Sequence, residues 1–213
     1  ALDAVDADGV NFHLNPLQEA IQPEGDTRFS GLTDRLKEVF EDLDRPALVK
    51  EVGAGISRRT AQKLARLPLA GVEVAGVGGT SWAQVESYRA APGSAEAATG
   101  RALAGFGVPT AASLRLCREE LPSGVALVAS GGIRTGMDIA LALALGADVV
   151  ALARPLLAVA AESEAAIITA LEHLLHELKV IMFCAGARDV AALRDVRVLT
   201  SAYAPPAWET KTR

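Results

Sequence analysis

The chain has 213 residues, of which 50% are hydrophobic, and it carries a formal net charge of −5. This length and apolar content suit one buried core and one large domain better than two. The acidic balance and the lack of a Lys/Arg cluster argue against a nucleic-acid partner, and no apolar stretch is long enough to span a bilayer. We therefore expect a soluble, cytoplasmic protein without a membrane segment.

The two cysteines, Cys117 and Cys184, lie far apart within helix-like stretches. We predict that both are buried free thiols of a protein from a reducing compartment. A reactive cysteine is the alternative, but a free cysteine usually packs as a small hydrophobic side chain.

Short aliphatic runs that end in polar or glycine-containing turns predict five strands, at Val10–Leu14, Ala47–Val52, Gly71–Ala75, Val125–Ala129 and Asp148–Ala153. Helical patterns separate most of them, at Gly31–Asp42, Ser57–Leu64, Ala111–Glu120 and Met137–Leu145, and long helices are expected from about Leu156 to Ala185. Alternating strands and helices predict a parallel sheet covered by helices.

The first predicted strand alternates in polarity, with Asn11, His13 and Asn15 on one face. In a barrel such a polar face points inward, near the strand end where barrel chemistry occurs. In an open sheet, helices would cover both faces, and these polar groups would be costly to bury. We therefore predict an α/β fold, a (β/α)8 TIM barrel of which residues 1–199 supply about the last five βα units, followed by a tail at 200–213. Three strands would have to precede residue 1.

The turns after the fourth and fifth predicted strands are Ser130–Gly136 and Arg154–Pro155. In barrels a phosphate commonly lies between the loops after strands seven and eight, where glycines let backbone N–H groups point at the anion. If these are strands seven and eight, the turns predict a phosphate site to which Arg134 adds charge-assisted bonds. The alternative is that the glycines only permit tight turns.

Two other features carry polar groups at strand ends. Lys50 ends an aliphatic strand, where an amine is costly to bury unless it meets an anion or acceptor; alternatively it reaches solvent. The run His13–Glu19 brings an imidazole, amides and a carboxylate together, which suits Mg²⁺ bound with phosphate oxygens. An ordinary helix start with Asn15 as N-cap explains the same run equally well.

Six segments, in this order, resemble the type 2 (FMN-dependent) isopentenyl-diphosphate isomerases: NFHLNPLQEAIQPEGDTRFSG, VKEVGAGIS, VAGVGGTSWAQVE, GVPTAASL, VASGGIRTGMDIALALALGAD and ALARPLL. The resemblance runs from about residue 9 to about residue 188. HLNPLQEA and GGTSWA are highly specific, whereas SGG is shared with many FMN barrels. Two departures are Glu73, where many relatives have Asp, and Ala75, where some have a Ser that touches the flavin.

The resemblance implies an enzyme that interconverts isopentenyl and dimethylallyl diphosphate with reduced FMN, Mg²⁺ and NADPH or another reductant, and that forms a homo-oligomer (tetramer or octamer). By motif, it assigns the binding of FMN and its phosphate to Lys50, Ala75, Thr80, Gly131, Gly132, Ile133, Arg134, Ala153 and Arg154. It assigns the substrate pocket and the catalytic groups to His13, Asn15, Gln18, Trp82 and Glu86. Gln18 would contact the substrate and Glu19 the Mg²⁺.

The N-terminal third of that family is not in this sequence, so we expect the chain by itself neither to hold FMN tightly nor to turn over. One rival is an FMN-dependent oxidase or dehydrogenase of 2-hydroxy acids, but the His-Gly-x-Arg run that such enzymes carry is not found here. Another rival is a non-catalytic remnant that acts as an assembly module. Flavin colour in the purified protein would separate the enzyme from the remnant.

Overall fold

The computed structural model of the chain describes residues 2–198, and within them five strands form one all-parallel sheet. The strands are β1 (Val10–Leu14), β2 (Ala47–Glu51), β3 (Gly71–Glu73), β4 (Ala126–Ala129) and β5 (Val149–Val150). Their order in the sheet is their order in the chain, as in a (β/α)8 barrel, of which the chain supplies five consecutive units. The predicted tail at 200–213 lies outside the described residues.

Helices connect the strands and continue beyond the last one. They are α1 (Pro16–Ile21), α2 (Leu32–Asp42), α3 (Arg58–Leu64), α4 (Trp82–Arg89), α5 (Ala95–Ala102), α6 (Thr110–Glu120), α7 (Gly136–Ala144), α8 (Arg154–Glu162) and α9 (Glu164–Cys184), with 3₁₀ turns at Asp3–Val5 and Ala191–Asp195. Hydroxyl groups cap several helix starts; at α7, Thr135 and Asp138 form a reciprocal capping box. No helix among the described residues is long and apolar enough to cross a membrane.

The alternation predicted for the first strand is confirmed. Phe12 faces the helices, and its ring packs edge-on against Phe40 of α2, with ring centroids 5.0 Å apart. Phe12 is in register with Val49, which begins a row of buried residues that continues through Val72 and Leu127. The opposite face carries the polar residues of β1, so the core lies between the sheet and its helices.

The last part of β3 and most of β5 differ from the predicted strands, and the helices α4 and α5 were not predicted. β3 ends at Glu73 because Ala75 has a left-handed φ of 36°, which takes the chain out of the ladder. β5 is reduced to two residues, since only Val149 and Val150 pair with β4. The helix α4 was not predicted, because the side chains it buries are the small Ala83, the polar Ser87 and the charged Glu86, which give no apolar periodicity.

The two cysteines have different surroundings. Cys117 is fully buried in the core, and burial raises the pKa of its thiol to about 12, which keeps it protonated at neutral pH. The prediction that Cys184 is buried was wrong: the residue is exposed at the end of α9. α9 buries Leu178 against α7, whereas Phe183, beside the cysteine, is 86% exposed.

Asp148, which immediately precedes β5, joins distant parts of the chain. Its carboxylate accepts hydrogen bonds from the backbone N–H of Leu127 (2.8 Å) and from Arg118 (3.2 Å), and it also pairs with Arg194 of the final 3₁₀ turn. Burial by itself raises the pKa of Asp148, but these hydrogen bonds and the two arginines outweigh it and lower the pKa below its usual range. The charged form therefore stabilises the fold.

Asp148→Asn is expected to lower the free energy of unfolding by about 1–2 kcal/mol at neutral pH, because the arginines lose their anionic partner. A carboxyl with a lowered pKa in the folded state contributes stability above its unfolded pKa of about 3.9, and this contribution is lost as pH falls through the folded pKa. Urea unfolding of the variant and the parent should therefore converge in acid. The exposed Asp195→Asn serves as a control, and an equal loss in both variants would contradict the assignment.

Candidate functional site

An open cleft of about 800 Å³ lies at the C-terminal ends of the strands. It is lined by every residue that the sequence assigned to FMN: Lys50, Ala75, Thr80, Gly131, Gly132, Ile133, Arg134, Ala153 and Arg154. These residues come from the C-terminal part of β2 and from the loops after β3, β4 and β5, and parallel strands bring such groups to one end of the barrel. The volume is in the range of small-molecule and cofactor sites.

The loop after β4 has its carbonyl groups engaged by side chains. The hydroxyl of Thr110 donates to the carbonyl oxygen of Gly131 at 2.6 Å. The guanidinium of Arg134 donates to the carbonyl oxygens of Gly132 (2.7 Å) and Gly78 (2.8 Å). Within residues 2–198, the backbone N–H groups of Gly131 and Gly132 find no acceptor. Consecutive free N–H groups of this kind are suited to bind an anion.

The glycines of this loop are also required by packing. Gly131 and Gly132 have φ of 96° and 84°. A Cβ on Gly131 would lie 2.3 Å from the carbonyl oxygen of Gly76, and one on Gly132 would lie 2.6 Å from the carbonyl carbon of Gly78. The loops after β3 and β4 thus pack backbone against backbone. Tight packing is therefore sufficient to explain why glycines occupy these positions, whereas the free N–H groups are what indicates an anion-binding site.

Arg154 adds a cation beside these N–H groups. It begins α8 almost directly after β5, with Pro155 in the first turn of the helix. Its side chain is exposed and, among the described residues, makes no ion pair or hydrogen bond. The positive end of the helix dipole and the guanidinium therefore both favour negative charge at this rim of the cleft.

A polar row lies on the inner face of the sheet. His13 is in register with Lys50, and Lys50 with Glu73. The Nζ of Lys50 donates to the carbonyl oxygen of Glu51 at 2.8 Å and lies 3.9 Å from the carboxylate of Glu73, which also accepts from the Ser130 hydroxyl at 2.6 Å. Lys50 is therefore partnered inside the cleft rather than extended into solvent.

Ala75 carries backbone strain at the edge of the cleft. It is a non-glycine residue with a φ of 36°, and it is buried. Its carbonyl oxygen accepts from the backbone N–H of Gly55 at 3.1 Å, which ties the loops after β2 and β3 together. A left-handed alanine costs about 1–2 kcal/mol, and strain of this kind is found mostly at functional sites.

A narrow second pocket adjoins the cleft and shares Trp82, Gly53 and Val52 with it. Asn15 and Gln18 line this second pocket. Asn15 and Gln18 therefore lie beside the predicted cofactor residues, and Trp82 lines both spaces, whereas His13 and Glu86 line neither the cleft nor the second pocket.

Glu86 is buried between α1 and α4, with 4% of its surface exposed. One carboxylate oxygen accepts from the amides of Gln18 (2.9 Å) and Gln22 (2.8 Å), and the other accepts from Arg89 (2.8 Å). Burial by itself raises the pKa of Glu86, but the amide hydrogen bonds and Arg89 outweigh it, so the pKa lies below its usual range. Gln22 and Arg89 were not predicted as site residues. The sequence did hold a signal for them, because Gln22 lies four residues after Gln18 and Arg89 three residues after Glu86, and such spacings place side chains on the same face of a helix.

Glu19 is held by two nearby donors. It accepts from the Asn15 amide (2.6 Å) and from the backbone N–H of Asp26 (2.8 Å). Asn15 occupies the N-cap position of α1, as the helix-start alternative expects, but its side chain binds Glu19 instead of capping the helix. Within residues 2–198 no group of three or more His, Cys, Asp or Glu side chains could hold a metal. A cation beside Glu19 would therefore depend on oxygens of the ligand, which is usual for Mg²⁺.

Glu51 is a buried acid that the sequence did not single out. One of its oxygens accepts from three successive backbone N–H groups, those of Val52 (2.7 Å), Gly53 (3.0 Å) and Ala54 (2.6 Å). Burial raises the pKa of Glu51, and the N–H groups and Lys50 only partly oppose this. The carboxylate therefore fixes the loop of residues 52–54, which lies beside Trp82.

The sequence model of a protein family, described as "FMN-dependent dehydrogenase", matches residues 14–200 of the chain. The chain belongs to the FMN-dependent dehydrogenase family. Its curated relatives include the isopentenyl-diphosphate delta-isomerases of Mycolicibacterium gilvum, 51% identical over 92% of this chain, and of Deinococcus radiodurans, 50% identical over 91%. The chain spans 56% of the length of each of these two relatives.

Two solved structures share the fold. A lactate oxidase of Pediococcus acidilactici superposes with a TM-score of 0.65 at 20% identity, over 94% of this chain and 56% of that protein. A mandelate oxidase superposes with a TM-score of 0.62 at 21% identity, over 92% of this chain and 58% of that protein. At these identities the likeness shows the fold alone.

Proposed function

We propose that this chain forms the cofactor- and substrate-binding end of an enzyme that interconverts isopentenyl diphosphate and dimethylallyl diphosphate. Relatives named isopentenyl-diphosphate delta-isomerase, at 40–51% identity, support this assignment. The observation that carries it is that Trp82 lies between the cleft of the FMN residues and the pocket of Gln18. The activity is proposed for the protein in which these residues work together with the rest of the barrel.

The residues of the cleft fit FMN. The free N–H groups of Gly131 and Gly132, together with Arg154, would hold its phosphate, while Thr80, Ala75, Ile133 and Ala153 would line its sides. Lys50 would place a cation beside the ring system. Reduced FMN would supply the acid–base group that moves a proton at the carbon atoms of the substrate. The chain's contribution is position and electrostatic field.

The substrate would lie in the cleft beside Trp82, because the adjoining pocket of Asn15 and Gln18, at about 10 Å³, is too small to hold it. Apolar side chains of the cleft, among them Trp82, Val52 and Leu152, would exclude water from the hydrocarbon part, which favours proton transfer at a weakly acidic carbon. Glu19, oriented by Asn15, would share Mg²⁺ with the diphosphate and so neutralise its charge. His13 would line the same mouth, and Gln18 would contact the substrate next to the buried charge of Glu86.

Three further features are part of the proposal. NADPH or another reductant would keep the flavin reduced, because the isomerisation itself has no net redox change. The protein would be cytoplasmic, and it would form a homo-oligomer, a tetramer or octamer. The apolar side chains that α8 and α9 expose, such as Leu157, Leu175 and Phe183, suit contact with a second copy, and light scattering would measure the assembly.

The activity can be tested with a fusion protein in which this chain follows the part of the Mycolicibacterium gilvum relative that it does not span. We expect the fusion to isomerise isopentenyl diphosphate only when FMN, a reductant and Mg²⁺ are all present, and the unfused chain to show little turnover. Lactate and mandelate serve as control substrates. Oxidation of these acids without any isomerisation would refute the proposal, as would a folded, colourless fusion that does not take up FMN.

The phosphate site has a separate test. In the fusion protein, Arg154→Met should weaken binding of FMN about tenfold, because a charge-assisted contact is lost, yet leave riboflavin binding unchanged, because riboflavin lacks the phosphate. Quenching of flavin fluorescence measures both affinities. Arg59→Met, at an exposed arginine of α3, is the matched control. Equal weakening of FMN and riboflavin would place the phosphate elsewhere.

A further inference from the structure

α1 and α4 are joined through one buried carboxylate, that of Glu86. Four contacts make up the junction: the amides of Gln18 and Gln22 bind one oxygen of Glu86, Arg89 binds the other, and Arg89 lies 3.6 Å from Glu24, which follows α1. Neither Gln22 nor Arg89 lines the cleft or the adjoining pocket, whereas Gln18 lines the pocket. Gln22 and Arg89, which lie outside the site, therefore share the partner Glu86 with Gln18, which lies inside it.

This arrangement fixes which end of the Gln18 amide faces the ligand. An ionised carboxylate can only accept hydrogen bonds, so an amide that binds it must present its NH₂ group. Arg89 at 2.8 Å and Gln22 at 2.8 Å favour the ionised form of Glu86 despite its burial. With its nitrogen held by Glu86, Gln18 retains its carbonyl oxygen, Oε1, for other partners.

We propose that Gln22 and Arg89 are positioning residues, which hold Glu86 as a charged acceptor so that Gln18 presents its carbonyl oxygen to the ligand. Gln18 then meets a hydrogen-bond donor, for example water coordinated to the divalent cation that accompanies a diphosphate. The carbonyl oxygen does not bind a phosphate oxygen, which is itself an acceptor. The identity of the ligand rests on the proposed function, whereas the orientation of the amide does not.

The first test measures the orientation directly in the ¹⁵N-labelled chain at neutral pH. The Gln18 NH₂ protons should be shifted by the carboxylate and exchange slowly with solvent. In the double variant Gln22→Met, Arg89→Met, Glu86 loses its cation, becomes neutral in its buried position and can donate a hydrogen bond itself. The Gln18 protons should then exchange about tenfold faster. The control Gln62→Met, Arg59→Met makes the same changes on the exposed face of α3.

A rescue variant separates this role from packing. In the double variant Gln22→Lys, Arg89→Met, a positive charge is placed near Glu86 again, this time from the end of α1. Slow exchange of the Gln18 protons should then return. Packing would not explain this result, because lysine fits the space of the glutamine no better than methionine does. Unchanged Gln18 exchange in the methionine double variant would overturn the proposal. So would failure of the lysine to restore slow exchange while the protein remains folded by circular dichroism.

Kinetics of the fusion protein supply the second test. Because neither residue lines the site, the methionine double variant should lower kcat about tenfold and leave KM for isopentenyl diphosphate unchanged. A rise in KM alone would contradict the positioning role. If the parent fusion has no isomerase activity, the proposed function fails, but the exchange measurement still decides the orientation of Gln18.

Discussion

Among substitutions that add a single methyl group to the cleft, Gly131→Ala is expected to lower the free energy of unfolding the most. The alanine would have to adopt a φ of 96°, and its Cβ would lie 2.3 Å from the carbonyl oxygen of Gly76. The left-handed conformation costs about 1–2 kcal/mol and the overlap adds to it, for a total of roughly 3 kcal/mol or more. Urea unfolding followed by circular dichroism measures this loss.

Gly93→Ala is the matched control for that variant. Gly93 also has a positive φ, 82°, but a Cβ there would meet nothing within 4 Å. Only the conformational cost of about 1 kcal/mol is expected. In the fusion protein, FMN binding should be lost in Gly131→Ala, because the loop must move the N–H groups proposed to hold the phosphate, and kept in Gly93→Ala. Similar effects of both variants on stability and binding would mean that the contact between the loops after β3 and β4 does not shape the site.

Glu51→Ala is expected to have the second large effect. Removal of the carboxylate leaves the N–H groups of Val52, Gly53 and Ala54 without their acceptor, in a loop packed beneath Trp82. Because such groups cost about 1–3 kcal/mol each when they stay dry, a loss of roughly 3–5 kcal/mol in the free energy of unfolding is expected. Water that enters the space left by the side chain would limit the loss to the lower end of this range.

Glu51→Gln distinguishes the hydrogen bonds from the charge. The amide oxygen keeps an acceptor for the loop, so less than half of the alanine effect is expected. The pH dependence should also change. A carboxyl with a raised folded-state pKa contributes stability below its unfolded pKa of about 4.3, which is lost as pH rises through the folded pKa. Glu51→Gln should remove this decline, and a decline that persists would show that another group causes it.

The candidate site divides into a part that local sequence predicts and a part that it does not. The glycines at 131 and 132 were predicted to form a turn with free N–H groups, since their conformational freedom is a local property. That Thr110 holds the carbonyl of Gly131 depends on a helix that begins in another unit of the barrel. The same holds for Glu86, which lies 68 residues from Gln18 along the chain and is joined to it only by the packing of α1 on α4.

The sequence by itself determined the alternation of strands and helices, the helix-facing side of β1 and the end of the sheet at which the polar loops meet, because periodicity and strand direction are local properties of the chain. Only the tertiary structure decided the partners of the buried charges: three N–H groups for Glu51, two arginines for Asp148, and two amides with one arginine for Glu86. It also decided that Cys184 is exposed. A buried polar group must be paired, but which donor reaches it is settled by elements that are distant in sequence and packed together by their apolar faces.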